Sequence, residues 1–205
     1  MAPTHVLVTG CSTGIGRALA EEFHERGCKV LATARRLEAI SDLAAMGIAT
    51  AVVDVADPAT LKSAICEFGA VDIVVANAGV SGMVPLIEQE LSQIENIFQT
   101  NVVGVIATAQ AAVPAMIEGG GGLVVVIGSV SSAMITPYAG AYCASKAAVG
   151  ALCKALRMEL APFKVGVLHV VTGSIRSHFG ASAKAASNLR ANSRSTPPRP
   201  SCPSL

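Results

Sequence analysis

Aromatic and charged residues are scarce in this sequence. Of its 205 residues, 3% are aromatic, none is tryptophan and 14% are charged, whereas 52% are hydrophobic. A chain this apolar is not disordered as a whole. Its formal net charge of +1 argues against the basic surface of a nucleic-acid-binding protein. With so few aromatics, the core must be built from Ala, Val, Ile and Leu, which favours helices packed on a sheet.

Metal-ligand spacings and targeting segments are also missing. The six cysteines contain no Cys-x-x-Cys pair, so we expect reduced thiols, and neither a disulfide framework nor a metal site. The first five residues lack the basic region of a signal peptide. The longest weakly polar run, 102–117, is shorter than the roughly 20 residues that span a bilayer. The prediction is a cytoplasmic protein without an integral membrane segment, which leaves peripheral association with a lipid surface open.

Strand-like and helix-like segments alternate along the chain. Strands are predicted at 6–8, 30–34, 51–55, 73–76, 123–127 and 165–171, and helices at 15–26, 37–46, 58–68, within 96–117 and at 138–160. The strands are apolar throughout, as in a parallel sheet covered on both faces. This pattern predicts one doubly wound α/β domain over residues 1–185. Residues 186–205 are rich in Pro, Ser and Arg and are predicted to be a disordered tail.

A glycine-rich turn lies between the first strand and the first helix. Residues 9–16 read Thr-Gly-Cys-Ser-Thr-Gly-Ile-Gly. In this position glycines let the backbone approach a pyrophosphate, whose charge is stabilised by the helix N-terminus. The glycine spacing differs from the usual G-x-G-x-x-G, and a plain turn is the alternative. The candidate cofactor contacts of this turn are Gly10, Ser12, Thr13, Gly14, Ile15 and Gly16.

The end of the second strand indicates which dinucleotide would bind. A carboxylate at this point binds the ribose hydroxyls of NAD, but the chain has Arg35 and Arg36 there. A guanidinium suits a phosphate, so the 2′-phosphate of NADP is preferred. Ser12 adds a hydroxyl for the same phosphate. The alternative is a solvated arginine pair.

Tyr142 and Lys146 are four residues apart in an Ala-rich segment predicted to be helical. Residues at this spacing lie on one helix face, about 5–6 Å apart. A nearby cation favours phenolate, so Lys146 is expected to lower the pKa of the phenol from about 10. Such pairs also occur by chance on helix surfaces. The glycine turn and Ser129, upstream of the tyrosine, favour the catalytic interpretation.

Over roughly residues 4–180 these motifs resemble the short-chain dehydrogenase/reductase family, in the group with a Thr-Gly-x-x-x-Gly-Ile-Gly turn and a Tyr-x-x-x-Lys pair. The resemblance implies a Rossmann fold, a nicotinamide cofactor, NADP(H) here, and a small-molecule carbonyl or alcohol substrate. It also implies that Asp54 contacts adenine. The other cofactor positions implied are Asn77, Ala78 and Gly79 after the fourth strand, and Thr172, Gly173 and Ile175 after the sixth.

The family mechanism assigns roles to four residues. Tyr142 exchanges a proton with the substrate oxygen as hydride moves to or from nicotinamide. Lys146 stabilises phenolate and binds the nicotinamide ribose, Ser129 orients the substrate oxygen, and Asn101 holds a water that relays protons. For Asn101 and Ser129 a purely structural hydrogen-bonding role is the alternative. Ser131 and Ser132 are alternatives to Ser129, and Tyr138 lies outside the Tyr-x-x-x-Lys spacing.

The sequence departs from the family pattern in two places, and both bear on the predicted function. Residues 170–173 read Val-Val-Thr-Gly where the family usually has Pro-Gly, a form similar to reductases of the 1-acyldihydroxyacetone-phosphate type. Family members usually continue through a helical substrate segment to a seventh strand, so the chain is expected to be C-terminally truncated. Two functions stay open: an NADP(H)-dependent oxidoreductase of a lipophilic substrate, and a weak or inactive NADP-binding remnant. A homo-oligomer through the mid-chain helices is also compatible with the resemblance.

Overall fold

Six parallel strands form one sheet in the computed structural model, which describes residues 3–173 and residue 175. The strands are β1 (His5–Val8), β2 (Lys29–Ala34), β3 (Ala49–Val52), β4 (Ile73–Ala76), β5 (Gly122–Ile127) and β6 (Val165–Val170). Their order is β3-β2-β1-β4-β5-β6, and every neighbouring pair is parallel. The predicted doubly wound α/β fold is confirmed. The chain order reverses between β1 and β4, where such sheets bind ligands.

Helices cover both faces of the sheet. They are α1 (Gly14–Glu25), α2 (Ser41–Ala45), α3 (Pro58–Phe68), α4 (Leu91–Phe98), α5 (Gly104–Glu118) and α6 (Gly140–Leu160). A 3₁₀ turn, Leu37–Ile40, precedes α2, and a π-helical segment, Gln99–Val103, joins α4 to α5. The predicted second helix is therefore a turn followed by a short helix. The predicted tail at 186–205 and the position of any seventh strand lie outside the described residues.

The strands are buried because their side chains alternate between two apolar layers. Leu7, Val74 and Val124 face the layer that contains α3, α5 and α6. Val8 and Val75 face the opposite layer, which contains α1 and α2. With helices on both sides, a strand has no polar face, which explains why the predicted strands read as continuous apolar runs.

Several predicted boundaries differ from the structure: the helix predicted within 96–117 begins at Leu91 and β3 at Ala49, and two further differences fall beside the site described below. β3 ends at Val52 rather than at 55, because Asp54 begins the turn into α3 and its carboxylate accepts the N–H of Ala56 at 3.0 Å. Helix α6 begins at Gly140, not at 138, because Tyr138 has φ +67°, in the left-handed region. The carbonyl of Tyr138 accepts the N–H of Val84 at 2.8 Å.

Within residues 3–173 one helix is long and apolar enough to cross a membrane by length and composition. It is the continuous helix Leu91–Glu118, 28 residues with a mean hydropathy of 1.5 in its most apolar window. The expectation that this region is too short to span a bilayer is therefore not supported by length. Its α5 part packs on α3, β4 and β5, and this core position accounts for its apolar composition.

Candidate active site

A cavity of about 610 Å³ opens at the carboxyl ends of the strands. The loops after β1, β2, β4, β5 and β6 all contribute to its wall. This edge of a doubly wound sheet is where ligands bind, because the loops diverge at the reversal of strand order. The predicted cofactor and catalytic residues line it, except Gly16 and Asn101.

The glycine turn packs tightly against the loop after β4. Gly10 has φ +75°, and a Cβ built on it would lie 2.8 Å from the Cα of Ala78. A Cβ on Gly16 would lie 2.3 Å from Nδ2 of Asn77. Gly16 therefore stands behind the cavity and lets helix α1 approach the sheet, while Gly10 and Gly14 line the cavity itself.

Asn77 holds the two loops together. Its side-chain amide donates to the carbonyl oxygens of Thr9 and Gly10, at 2.8 and 3.1 Å. The hydroxyl oxygen of Thr9 accepts the N–H groups of Asn77 and Ala78, at 3.0 and 3.1 Å. Asn77 was predicted from the sequence as a cofactor contact. It lines the cavity, and it also fixes the shape of the loop that would hold the cofactor.

Arg35 lies at the rim of the cavity, directly after β2. It is exposed, and no ion pair to it occurs among the described residues. Ser12 and Asp54 line the same cavity. The rim thus presents an uncompensated guanidinium and a hydroxyl at the end of the second strand, where an anionic group of a ligand would meet a cation.

Ser129, Tyr142 and Lys146 meet in the same cavity. Helix α6 presents Tyr142 and Lys146 on one face, with Nζ of the lysine 5.9 Å from the centroid of the phenol ring. The hydroxyl of Ser129 hydrogen-bonds Tyr142. Ser129 is held in turn by the N–H of Ser131, which donates to its Oγ at 3.1 Å.

Burial dominates the electrostatics of this cluster. It raises the pKa of Tyr142 above 10, and the hydrogen bond from Ser129 opposes the rise. It also lowers the pKa of Lys146 from 10.5 to about 8. The net pKa of the phenol is thus set by burial, and the expectation that Lys146 favours phenolate stays a prediction. The ammonium donates to the carbonyl of Ile127 at 3.0 Å.

Asn101 is fully buried in the π-helical segment and lies outside the cavity lining. Its Oδ1 accepts the N–H of Val80 at 2.8 Å, and its amide donates to the carbonyl of Val80 and to Oγ of Ser145, at 2.9 and 3.0 Å. These contacts tie the loop after β4 to helix α6. They favour the structural alternative, and the water-holding role stays a prediction.

Several cavity residues were not identified from the sequence. They come from the loops after β4 and β5 and from the segment where α4 passes into the π turn. Their signal is position: each loop follows the carboxyl end of a strand, but no residue type marks them. They are Val80, Ser81, Met83, Asn96, Thr100, Ile127, Gly128, Val130, Thr136 and Ala139, with Val53, Val55 and Ala56 after β3.

Comparison with known proteins places this architecture in one family. The family model described as short chain dehydrogenase matches residues 4–188. The chain is 38% identical over 179 residues to the short-chain dehydrogenase ptmH of Penicillium ochrochloron, covering 84% of this chain and 66% of that protein. It is 36% identical over 182 residues to the NADPH-dependent 1-acyldihydroxyacetone phosphate reductase of Schizosaccharomyces pombe, covering 86% and 61%.

Solved structures share the fold. A short-chain dehydrogenase from Streptomyces avermitilis superposes with a TM-score of 0.81 at 34% identity, covering 86% of this chain and 67% of that one. A gluconate 5-dehydrogenase from Burkholderia cenocepacia, in complex with NADP and tartrate, gives 0.78 at 32%, covering 84% and 72%. A Burkholderia phymatum enzyme in complex with NAD gives 0.82 at 26%, covering 96% and 74%. The chain spans 66% and 61% of the length of the curated relatives ptmH and the Schizosaccharomyces pombe reductase.

Proposed function

The chain belongs to the short-chain dehydrogenase family, and on that premise we propose that it is an NADP(H)-dependent oxidoreductase acting on a carbonyl or secondary alcohol. One observation carries the proposal: Ser129, Tyr142 and Lys146 line the same cavity as the glycine turn, which forms another part of its wall. The glycines leave a backbone surface that a pyrophosphate could approach. A dinucleotide bound along this wall would supply the hydride.

The residues of the chain supply the proton and the charge. Because burial holds the pKa of Tyr142 above its ordinary value, the phenol is protonated at neutral pH and can donate from Oη to a substrate oxygen. Ser129 hydrogen-bonds the phenol and can hold the same oxygen in line. Lys146 is a buried cation that favours the phenolate left after proton transfer. The same residues serve either direction, since the phenolate can take the proton back when an alcohol is oxidised.

Arg35 supports NADP as the cofactor. Its guanidinium is exposed at the rim, and no carboxylate stands beside it at the end of β2. The Schizosaccharomyces pombe relative is NADPH-dependent by name, whereas the structural relatives include complexes with NADP and with NAD. The family therefore accommodates both cofactors, and the choice for this chain rests on Arg35 and Ser12.

Part of the cavity wall is apolar, which supports a lipophilic ketone as the substrate. Met83 and Val80 line the cavity. Thr136 lines it as well, and the two residues before it, Met134 and Ile135, are exposed apolar side chains. Apolar surface gains free energy when it removes an apolar substrate from water.

The cysteines bear on the cellular compartment. The thiols of Cys11, Cys28, Cys66, Cys143 and Cys153 are free, which fits a reducing compartment such as the cytoplasm.

A homo-oligomer through the mid-chain helices stays a prediction. The apolar groove between α5 and α6 is the surface concerned, and sedimentation velocity would test it.

The test is turnover with purified protein. We expect oxidation of NADPH, followed by the loss of its absorbance, with lipophilic carbonyl compounds; ketosteroids, retinal (an aldehyde) and acyl-dihydroxyacetone phosphate are the test substrates. Tyr142→Phe serves as the inactive control. NADPH binding without turnover of any ketone, in wild type and control alike, would favour the NADP-binding remnant instead.

A further inference from the structure

Residues at and just after the end of β6 hydrogen-bond the residues on both sides of Ser129. The N–H of Gly128 donates to the carbonyl of Val170 at 2.8 Å, and the N–H of Val130 donates to the carbonyl of Thr172 at 2.9 Å. The hydroxyl of Thr172 adds a third bond, to the carbonyl of Gly128 at 2.9 Å. The two backbone bonds need no particular side chain, but the third requires a hydroxyl at position 172. Thr172 thus contacts the residue before Ser129 and the residue after it.

His169, three residues earlier, fills the gap between β5 and α6. A Cβ built on Gly128 would lie 2.2 Å from Nε2 of the imidazole, and one built on Gly150 would lie 3.6 Å from Cε1. The missing side chains of these two glycines make room for the ring. The imidazole therefore stands directly behind the peptide that leads into Ser129, one helical turn along α6 from Lys146.

The surroundings of His169 favour its neutral form. Burial lowers its pKa below 6.5, and the positive charges of Lys146, Arg157 and Lys154 on α6 lower it further. Cys153 also faces this region from α6, where its pKa is raised by burial. The end of β5 presents only backbone here. Nε2 is buried and has no hydrogen-bond partner among the described residues.

We propose that Thr172 and His169 are positioning residues that hold the Gly128–Val130 segment, and with it the hydroxyl of Ser129, against the substrate oxygen. The hydroxyl bond of Thr172 holds the segment in place. The ring of His169 fills the space between the segment and α6, so the segment cannot shift toward that helix. The proposal rests on the proposed oxidoreductase function. The restraint of the Gly128–Val130 segment can nevertheless be measured without any substrate.

Thr172→Ala removes the hydroxyl bond, and Thr172→Ser keeps it. For the loss of one hydrogen bond we expect kcat to fall about 2- to 12-fold in the alanine variant. Because Thr172 is also a predicted cofactor position, kcat is measured at saturating NADPH, and serine should restore it. A role confined to global stability would lower the thermal midpoint of Thr172→Ala and leave kcat per folded molecule unchanged.

Amide hydrogen exchange provides the readout that needs no turnover. The N–H of Val130 should exchange faster in Thr172→Ala than in the wild type and should return to the wild-type rate in Thr172→Ser. If exchange at Val130 is unchanged by Thr172→Ala, the positioning role is wrong, whatever the enzyme does. If exchange responds but no ketone is reduced, the restraint stands and the proposed function fails.

The pH profile tests His169. Protonation would add a cation beside Lys146, Lys154 and Arg157, so we expect kcat of the wild type to fall reversibly on the acid side of neutrality. His169→Gln keeps a planar polar side chain that does not titrate, so this acid limb should disappear. An unchanged acid limb in His169→Gln, with wild-type kcat at neutral pH, would remove His169 from the proposal.

Discussion

The ammonium of Lys146 donates a hydrogen bond to the main-chain carbonyl of Ile127 at 3.0 Å, across the gap between α6 and the end of β5. Lys146 is only 6% exposed, so its charge is held in the interior, where its ammonium also lies 5.9 Å from the centroid of the Tyr142 ring. A buried cation costs stability, so replacing it tests whether the charge serves the reaction.

Replacing Lys146 should separate stability from activity. Burial lowers the pKa of Lys146 from 10.5 to about 8, so keeping it charged at pH 7 costs the folded state about 3 kcal/mol. We expect Lys146→Met to be more stable than the wild type at pH 7 and to have lost both turnover and NADPH affinity. Chemical denaturation measures the stability. Lys154→Met, an exposed position on the same helix, is the control and should change neither property.

The same pKa predicts how the wild type responds to alkali. As pH rises through about 8, Lys146 loses its proton in the folded state, and the unfolded chain keeps its proton up to about 10.5. The unfolded state then binds more protons, so the contribution of Lys146 to stability increases between these values. NADPH affinity should fall over the same range because the cation is lost. Titration calorimetry at pH 7 and pH 9 would reveal an unchanged affinity if this assignment were wrong.

Arg35 should determine the preference for NADPH over NADH. Losing one hydrogen bond to a charged group costs about 1.5–3 kcal/mol, or roughly 10- to 150-fold in affinity. Arg35→Ala should reduce the ratio of the two dissociation constants by about that factor. Arg26→Ala, an exposed arginine at the end of α1, should leave the ratio unchanged. Equal dissociation constants in the wild type would overturn the assignment.

Tyr142→Phe should abolish hydride transfer and leave NADPH affinity nearly unchanged, because only the proton-donating oxygen is removed. Tyr138→Phe is the matched control. Tyr138 is half exposed, lies outside the cavity lining and is held through its carbonyl, which the substitution keeps. Single-turnover measurements with NADPH and an apolar ketone would separate chemistry from binding. Substantial turnover by Tyr142→Phe would indicate another proton donor.

Gly16→Ala should disturb the loops of the cofactor site, although Gly16 itself lies outside the cavity lining. The added Cβ would lie 2.3 Å from Nδ2 of Asn77, so the amide must move and its bonds to Thr9 and Gly10 must weaken. We expect a lower thermal midpoint and weaker NADPH binding. Gly82→Ala is the control, since its Cβ would meet Gln89 at an ordinary 3.6 Å. Differential scanning fluorimetry with and without NADPH compares the two variants.

The sequence was sufficient to predict the sheet, because strands buried on both faces must be apolar throughout. It was also sufficient to predict that Tyr142 and Lys146 share a helix face, because that spacing is local. It did not predict the start of α6, since the left-handed backbone of Tyr138 is selected by a contact with Val84, distant in the chain.

Electrostatics was the least predictable part of the site. The pKa of Tyr142 depends on how deeply α6 is buried and on where the Lys146 ammonium points, and spacing along a helix reports neither. His169 was missed for a similar reason. Its position behind Ser129 depends on two glycines, Gly128 and Gly150, that come together only when β5, β6 and α6 pack.

The hydroxyl of Thr9 joins segments that are 68 and 69 residues apart, since it accepts the N–H groups of Asn77 and Ala78. The glycine turn is contiguous in sequence, yet these contacts and the Asn77 amide exist only after β4 has docked beside β1. Contacts of such long sequence separation form late in folding, because the loop between them must close first. A nascent chain that ends before β4 would therefore carry the whole glycine motif and still bind no dinucleotide.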